Sequence, residues 1–188
     1  LIDQLPMHVH GWDAYERVAE AYIAGLETYA ARGGDLKQLA SVASFFISRI
    51  DTAIDMLIAA RLQAGTDANE SSVLRGLTGK VAIANAKLTY QRYQELFSGR
   101  RWQALAGQGA QTQRLLWAST GTKNPNYRDV VYIEELIGPD TVNTMPPATF
   151  DAFRDHGRPR ASLVEDVESA ADTMATLAEV AISMKEVT

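Results

Sequence analysis

The sequence predicts a helix-rich α/β protein whose strands run parallel. Three short segments at residues 39–48, 114–119 and 141–145 have the character of buried strands. Each is followed by a helical segment, and the connections between them are too long for hairpins. Alternation of strands and helices implies parallel strands joined by right-handed crossovers. Three parallel strands make a poor sheet by themselves, so we expect either a small open sheet or part of a barrel.

The composition is that of one globular domain. The chain has 188 residues, 46% of them hydrophobic, whereas a complete eight-stranded barrel takes at least about 200 residues. The net charge of −5 argues against a general nucleic-acid-binding protein. The absence of cysteine excludes disulfides and thiolate metal sites and fits a reducing cytoplasm. No apolar run reaches the roughly 18 residues of a membrane helix, and the start does not resemble a signal peptide. We therefore expect a soluble cytoplasmic protein without a membrane or nucleic-acid partner.

The first helices are predicted from apolar residues at helical spacing. One stripe comprises Tyr15, Val18, Tyr22, Leu26 and Tyr29 and ends at Gly33 and Gly34. The first strand follows, and a second helix begins near Ile50. A loop is expected at residues 65–72, then a long helix over most of 73–97 and a short helix around Trp102.

The last third of the chain predicts three more helices. Residues 128–137 form a short one, and Pro146 and Pro147 suit the first turn of the next. Ser162 and Glu165 have capping-box spacing and should begin the last helix. Its apolar stripe comprises Leu163, Val167, Ala170, Ala171, Met174, Leu177, Ala178 and Ala181. Since no internal repeat, low-complexity segment or linker interrupts the chain, we expect one domain.

Polar side chains follow each predicted strand. Ligands of parallel α/β folds bind beyond the carboxyl ends of the strands, so these residues are candidates for a site. They are Ser48, Arg49 and Asp51, then Ser119, Thr120, Gly121, Thr122 and Lys123, and on the third strand Asn143 and Thr144. Arginine offers a planar fork of donors and lysine a point charge, and a glycine lets backbone amides approach a ligand. The pattern predicts a site for the phosphate of a small substrate.

The first strand has two different faces, because side chains alternate along a strand. Three apolar residues should meet the helices, namely Ala43, Phe45 and Ile47. The opposite face carries Val42, Ser44, Phe46 and Ser48 and would point into a barrel. A hydroxyl beside an aromatic ring suits a sugar-sized ligand.

Each candidate also has a purely structural interpretation. Ser44 is compatible with a small core residue, and Arg49 with an ion pair to Asp51 or Asp55 on the same helix. Lys123 taken alone is more often a surface lysine. Four further residues have structural alternatives, Ser119 and Thr120 as a cap or turn and Trp117 and Met145 as core.

Other site chemistry has little support in the sequence. His8 and His10 could share one face of a strand, but two ligands without a third do not predict a metal site. The sequence contains no P-loop, no G-x-S-x-G and no G-x-G-x-x-G motif.

Several stretches closely resemble the second half of transaldolases. They are ASVASFFISRID, VAIANAKLTYQRYQELFSG, RWQALA, RLLWASTGTKNPNYRDVVYIEELIGPDTVNTMPPATF and AFRDHGR. The similarity covers residues 13–188 and is greatest to the long bacterial subfamily, which includes forms fused to glucose-6-phosphate isomerase. WASTGTKNP and DTVNTMPPAT together are the most specific motifs.

The resemblance implies part of a (β/α)8 TIM barrel, about strands six to eight with their helices. It also implies an enzyme of the pentose phosphate pathway that forms a Schiff base on a lysine of the fourth strand, without a metal or organic cofactor. The enzyme would transfer a dihydroxyacetone unit from fructose 6-phosphate or sedoheptulose 7-phosphate to erythrose 4-phosphate or glyceraldehyde 3-phosphate. A homodimer is compatible with the resemblance.

Site residues are carried over position by position. Ser44 and Phe46 match residues that line the sugar site, and Arg49, Ser119 and Lys123 match positions that bind the phosphate. The resemblance assigns no catalytic residue to this chain, because the Schiff-base lysine belongs to the missing half.

The chain also departs from the family. Residues 1–12 match no part of it, residues 13–188 are a partial barrel domain, and strands one to four have no counterpart. We therefore expect this chain alone to be inactive. Two alternatives stay open, a non-catalytic sugar-phosphate-binding module and another barrel enzyme of the class I aldolase type.

Overall fold

The strands form one parallel sheet in the computed structural model, which describes residues 8–9 and 11–184. The strands are β1 (His8–Val9), β2 (Ser41–Phe46), β3 (Gln113–Ala118) and β4 (Thr141–Asn143). Their spatial order is the order of the sequence, and each neighbouring pair is parallel. The predicted parallel α/β class is confirmed, with one short strand more than predicted. The side chains of His8 and His10, considered above for a metal, lie outside the described residues.

Helices occupy most of the remaining chain. They are α1 (Trp12–Ala31), α2 (Ser48–Ala64), α3 (Ala68–Leu77), α4 (Val81–Leu96), α5 (Arg100–Ala106), α6 (Val131–Glu134), α7 (Pro147–His156) and α8 (Val167–Glu179). Short 3-10 turns lie at Leu36–Gln38 and Ser162–Val164. In the described part of the chain, no helix combines the length and the apolar character needed to cross a membrane.

One face of the sheet is buried under helices. Ala43 and Phe45 of β2 and Leu115 and Trp117 of β3 are all fully buried. The rings of Phe45 and Trp117 meet edge to face, with centroids 5.7 Å apart. These side chains share a cluster with apolar residues of α1, α2 and α4, which include Tyr15, Ile54 and Ala86. The cluster is the core that holds the strand ends in place.

The opposite face of β2 is more open, as the alternation predicts. Val42, Ser44 and Phe46 are half-buried there. The prediction that Ser48 continues this strand face is wrong, because the strand ends at Phe46. Ile47 adopts a helical conformation (φ −97°, ψ −74°), and Ser48 is the first residue of α2.

The prediction of a loop over residues 65–72 is wrong from residue 68 onwards, because α3 begins at Ala68. The Asp67 carboxylate accepts a hydrogen bond of 2.8 Å from the Glu70 backbone N–H and caps the helix. Aspartate is a common N-cap residue, but the polar composition of residues 65–72 indicated a loop instead. The long helix predicted over most of 73–97 is interrupted between α3 and α4, where Gly79 has a φ of +71°.

The helical predictions in the last third are too long. Within residues 128–137, only Val131–Glu134 is α-helical. Ser162 does not cap a helix, because it lies in a 3-10 turn and its hydroxyl accepts a hydrogen bond from the Ile137 N–H at 3.0 Å.

Helix α8 begins instead at Val167, after Asp166 in a left-handed conformation. Within the predicted stripe, Leu163, Ala170 and Leu177 are buried, but Ala171, Ala178 and Ala181 are exposed.

Replacing Phe45 with alanine should destabilise the fold severely. The ring is fully buried against Trp117, and truncating a buried phenylalanine costs about 3–5 kcal/mol. The matched control is Phe150→Ala, because Phe150 is 49% exposed on α7 and its loss should cost less than about 1 kcal/mol. Urea unfolding followed by circular dichroism measures both. Equal losses in the two variants would contradict the assignment of the core.

Candidate functional site

The segments that follow β2, β3 and β4 meet at one edge of the sheet. Backbone pairing continues past β2, where the N–H of Ile47 donates to the Ala118 carbonyl at 2.9 Å and that of Ser48 to Ser119 at 3.0 Å. On the other side, the Thr144 N–H donates to the Trp117 carbonyl at 2.9 Å. The predicted convergence of the strand ends is therefore present in the structure.

Ser48 and Ser119 join two of these segments. Their hydroxyl oxygens are 3.0 Å apart and form a hydrogen bond in which either can donate. Ser119 has a φ of +57°, a conformation that costs a non-glycine residue of order 1 kcal/mol. The left-handed turn redirects the chain directly after β3, so that residues 120–123 follow the edge of the sheet. The structural alternative of a turn residue is thus confirmed for Ser119. Ser119 is also half-exposed at the strand ends.

Thr120 and Gly121 have structural roles in this arrangement. Thr120 is fully buried and its hydroxyl donates to Asn143 Oδ1 at 2.7 Å, which ties β3 to β4. A Cβ on Gly121 would lie 3.2 Å from Pro146 Cγ and 3.3 Å from Thr149 Oγ1. A side chain at position 121 would therefore crowd the start of α7, so the glycine favours close packing there.

Arg49 lies in the first turn of α2, exposed, with its guanidinium carbon 4.4 Å from the centroid of the Phe46 ring. The predicted alternative of an ion pair with Asp51 or Asp55 is wrong, because both carboxylates accept hydrogen bonds from other groups. Among the described residues, no carboxylate is within ion-pair distance of Arg49. The helix amino terminus adds partial positive charge to the same place. The start of α2 therefore combines an exposed guanidinium with the partial positive charge of a helix amino terminus.

Lys123 is the second cation of the edge. It is exposed and borders a cleft of about 270 Å³ together with Asp51 and Thr52 of the first turn of α2. Within the described part of the chain it forms no ion pair. The structure therefore brings Lys123 near the start of α2, although on the side of Asp51.

Ser44 and Phe46 approach this edge from the open face of β2. Both are half-buried, and Phe46 carries the Arg49 guanidinium over its ring. The structure thus groups four of the five predicted binding residues, Ser44, Phe46, Arg49 and Ser119, around the carboxyl end of β2.

Asp51 belongs to a buried hydrogen-bond network that the sequence analysis missed. It is 1% exposed, and its carboxylate accepts from the Ala82 N–H at 2.8 Å and from the Tyr132 hydroxyl at 2.7 Å. Burial raises the pKa of Asp51 from 3.8 to about 6, and the nearby charge of Asp55 adds to this. The two hydrogen bonds lower the pKa, but they do not offset the loss of solvent.

Asp55 repeats this arrangement one helical turn later. Its carboxylate accepts from the Tyr127 hydroxyl and from the Gly79 N–H, the latter at 3.1 Å. Burial and the hydrogen bond to Asp55 raise the pKa of Tyr127, so its hydroxyl stays protonated and donates. The sequence shows two aspartates at i, i+4 and two tyrosines five residues apart, but this spacing does not indicate that they are partners.

Comparison with known proteins identifies similar sequences. A family model described as "Transaldolase/Fructose-6-phosphate aldolase" matches residues 9–188. A transaldolase of Trichodesmium erythraeum is 56% identical over 144 residues, which are 77% of this chain and 38% of that protein. A protein named transaldolase 2 from Nostoc punctiforme is 52% identical over 84% of this chain and 42% of its own length. A transaldolase of Frankia alni is 44% identical over 95% of this chain and 46% of its own length. The chain thus spans less than half the length of these curated relatives.

Replacing Asp51 with asparagine should change how stability depends on pH. The folded-state pKa of about 6 lies above the ordinary value, so ionisation of Asp51 opposes folding. The free energy of unfolding of the wild type, minus that of Asp51→Asn, should fall by roughly 2–3 kcal/mol between about pH 4 and pH 6 and then level off. Urea unfolding at constant ionic strength measures this difference. A difference that is flat or rises over that range would contradict the buried carboxylate.

Proposed function

The chain belongs to the transaldolase/fructose-6-phosphate aldolase family, and on this premise we propose that it supplies the phosphate-binding part of a transaldolase site. In the proposed barrel, β2, β3 and β4 are strands six, seven and eight of eight. The parallel sheet with sequential strand order and the partial coverage of the relatives support this proposal. β1 pairs with β2 on its other side, and the strands that this sheet lacks would come from sequence outside these residues.

In this proposal the corner around the start of α2 binds the phosphate of a sugar phosphate. Arg49 donates hydrogen bonds from its fork, Ser119 donates its hydroxyl, and Lys123 adds a mobile charge. Ser44 and Phe46 line the path of the sugar on the open face of β2. The observation that carries the proposal is the contact between the turns after β2 and β3, where the hydroxyls of Ser48 and Ser119 are 3.0 Å apart. This contact holds Arg49 and Ser119 at one edge.

The proposed reaction transfers a dihydroxyacetone unit between sugar phosphates through a lysine Schiff base. A protonated imine is an electron sink for cleavage of the carbon–carbon bond. The nucleophilic lysine is proposed to lie outside this chain. Lys37 is exposed in the 3-10 turn before β2, and Lys80 is exposed directly before α4. The buried Lys87 is engaged on α4 by the Glu165 carbonyl at 3.0 Å and the Glu135 carboxylate at 3.5 Å. Lys185 lies outside the described residues.

Aldol cleavage without an acceptor sugar is a second candidate for the complete site. The matched family includes fructose-6-phosphate aldolase by its description. Both reactions would use the same phosphate corner, because both act on phosphorylated sugars. They differ in whether the three-carbon unit is released or passed to a second aldose phosphate.

Replacing Arg49 with alanine should weaken phosphate binding by this chain at least tenfold. A hydrogen bond to a charged group is worth roughly 1.5–3 kcal/mol, and Arg49 is exposed, so the fold should persist. Titration calorimetry with fructose 6-phosphate and with inorganic phosphate measures the affinity.

The matched control is Arg32→Ala, because Arg32 is also exposed but follows α1 on the approach to the amino end of β2. Its affinity should equal that of the wild type. Binding that is unchanged in Arg49→Ala, or that is lost equally in both variants, would count against the proposed phosphate site. Weaker binding at higher salt is expected as well, because the attraction is partly screened.

A further inference from the structure

We propose that the hydrogen bonds from Tyr127 to Asp55 and from Tyr132 to Asp51 form a clamp that positions Lys123 for a phosphate. The inference rests on the proposed function, since it assigns positioning residues to the same phosphate corner. Of these four residues, only Asp51 was among the site candidates from the sequence, and none was assigned to the phosphate. Their part would be to hold the segment that carries Lys123 against α2, the helix that carries Arg49.

The clamp has two anchor points on α2. Asp51 and Asp55 are one helical turn apart, and each accepts a hydrogen bond from a tyrosine of the segment after β3. Tyr132 donates to Asp51 at 2.7 Å, and Tyr127 donates to Asp55. Two anchors on one helix fix both the position and the direction of the segment relative to that helix.

The same two carboxylates also fix the start of α4. Asp51 accepts from the Ala82 N–H at 2.8 Å, and Asp55 from the Gly79 N–H at 3.1 Å. These amides precede or open a helix whose first turn leaves donors without intrahelical partners. A Cβ on Gly79 would lie 2.7 Å from Tyr127 Cζ. Glycine at this position therefore lets the tyrosine ring reach Asp55, and the clamp is tied to rigid elements on both sides.

Local hydrogen bonds fix the backbone between Tyr127 and Lys123. The Tyr127 N–H donates to the Asn124 carbonyl at 3.1 Å, so a turn follows Lys123 directly. On the other side, the Thr122 hydroxyl lies 3.1 Å from the carbonyls of Arg128 and Asp129. Lys123 is thus held between two bonded neighbours while its own side chain stays exposed. A backbone that is already fixed loses little further backbone entropy when Lys123 binds a ligand.

The hydrogen bonds of the clamp also keep the two carboxylates of the cleft from pairing with Lys123. Lys123 borders the same cleft as Asp51 and Asp55, yet within the described residues it pairs with neither. Each carboxylate already accepts two hydrogen bonds, from a tyrosine and from a backbone amide. This satisfaction of the carboxylates leaves Lys123 available for an external anion. Loss of the Tyr127 hydroxyl would leave Asp55 short of a donor, and Lys123 is the cation among the residues that line the cleft.

The test is a double-mutant cycle with inorganic phosphate as the probe. Tyr127→Phe keeps the ring and removes the hydroxyl, and Lys123→Ala removes the charge. We expect each single variant to weaken phosphate binding three- to tenfold by calorimetry. In the Lys123→Ala background, Tyr127→Phe should have no further effect, because the clamp acts through Lys123. The matched control is Tyr22→Phe, which removes a tyrosine hydroxyl bonded to the Gln111 carbonyl before β3 and should not change the affinity.

Gly79→Ala tests the clamp from the other side. Its added methyl would displace the Tyr127 ring, so it should reproduce the loss seen in Tyr127→Phe, again only while Lys123 is present. Circular dichroism shows that each variant is folded before its affinity is measured.

The outcomes separate the clamp from the phosphate site itself. A loss from Tyr127→Phe that is the same with and without Lys123 would overturn the clamp, because a general structural effect would not depend on that lysine. Normal affinity in Tyr127→Phe together with weak binding in Arg49→Ala would overturn the clamp and leave the proposed function standing. No dependence on Arg49 would overturn the proposed function and the clamp with it.

Discussion

The pairing of β2 with β3 is the constraint on which the candidate site depends. The two strands are parallel and in register from Ser41 with Gln113 to Phe46 with Ala118. Because they are parallel, both end at the same edge, and their pairing continues through Ile47 and Ser48. A shift of one residue would exchange the two faces of a strand. It would expose Phe45 and bury Ser44, and the core and the open face would be lost together.

The two faces of the sheet divide stability from binding. The covered face joins Phe45 and Trp117 to helices α1, α2 and α4 in one buried cluster. The open face and the strand ends carry the hydroxyls and the cations, which contribute little to the core. We therefore expect substitutions at Arg49 to change binding without unfolding the chain, whereas Asp51 belongs to both parts. Its carboxylate is buried with the core, and its helix carries Arg49 of the proposed phosphate site.

The sequence was most informative where local patterns coincide with tertiary structure. Alternation along residues 41–46 predicted which side chains of β2 are buried, and the position of Arg49 directly after a strand predicted its place at the edge. Predictions from spacing were wrong where a polar side chain bonds a residue far away along the chain. Asp51 was interpreted as a neighbour for Arg49, but it bonds Ala82 and Tyr132, which lie 31 and 81 residues away along the chain. Ser162 has helix-cap spacing, yet its hydroxyl accepts from Ile137. Spacing along the chain carries no information about such long-range bonds.

Borohydride trapping tests the central claim most directly, because the claim separates binding from covalent chemistry within this chain. The purified chain is incubated with fructose 6-phosphate, treated with borohydride, and its intact mass is measured. The account predicts that the folded chain binds the sugar phosphate, shown by calorimetry, and gains no mass from a reduced imine. A stable adduct on one of its lysines would contradict the account, because the nucleophile would then lie within these 188 residues.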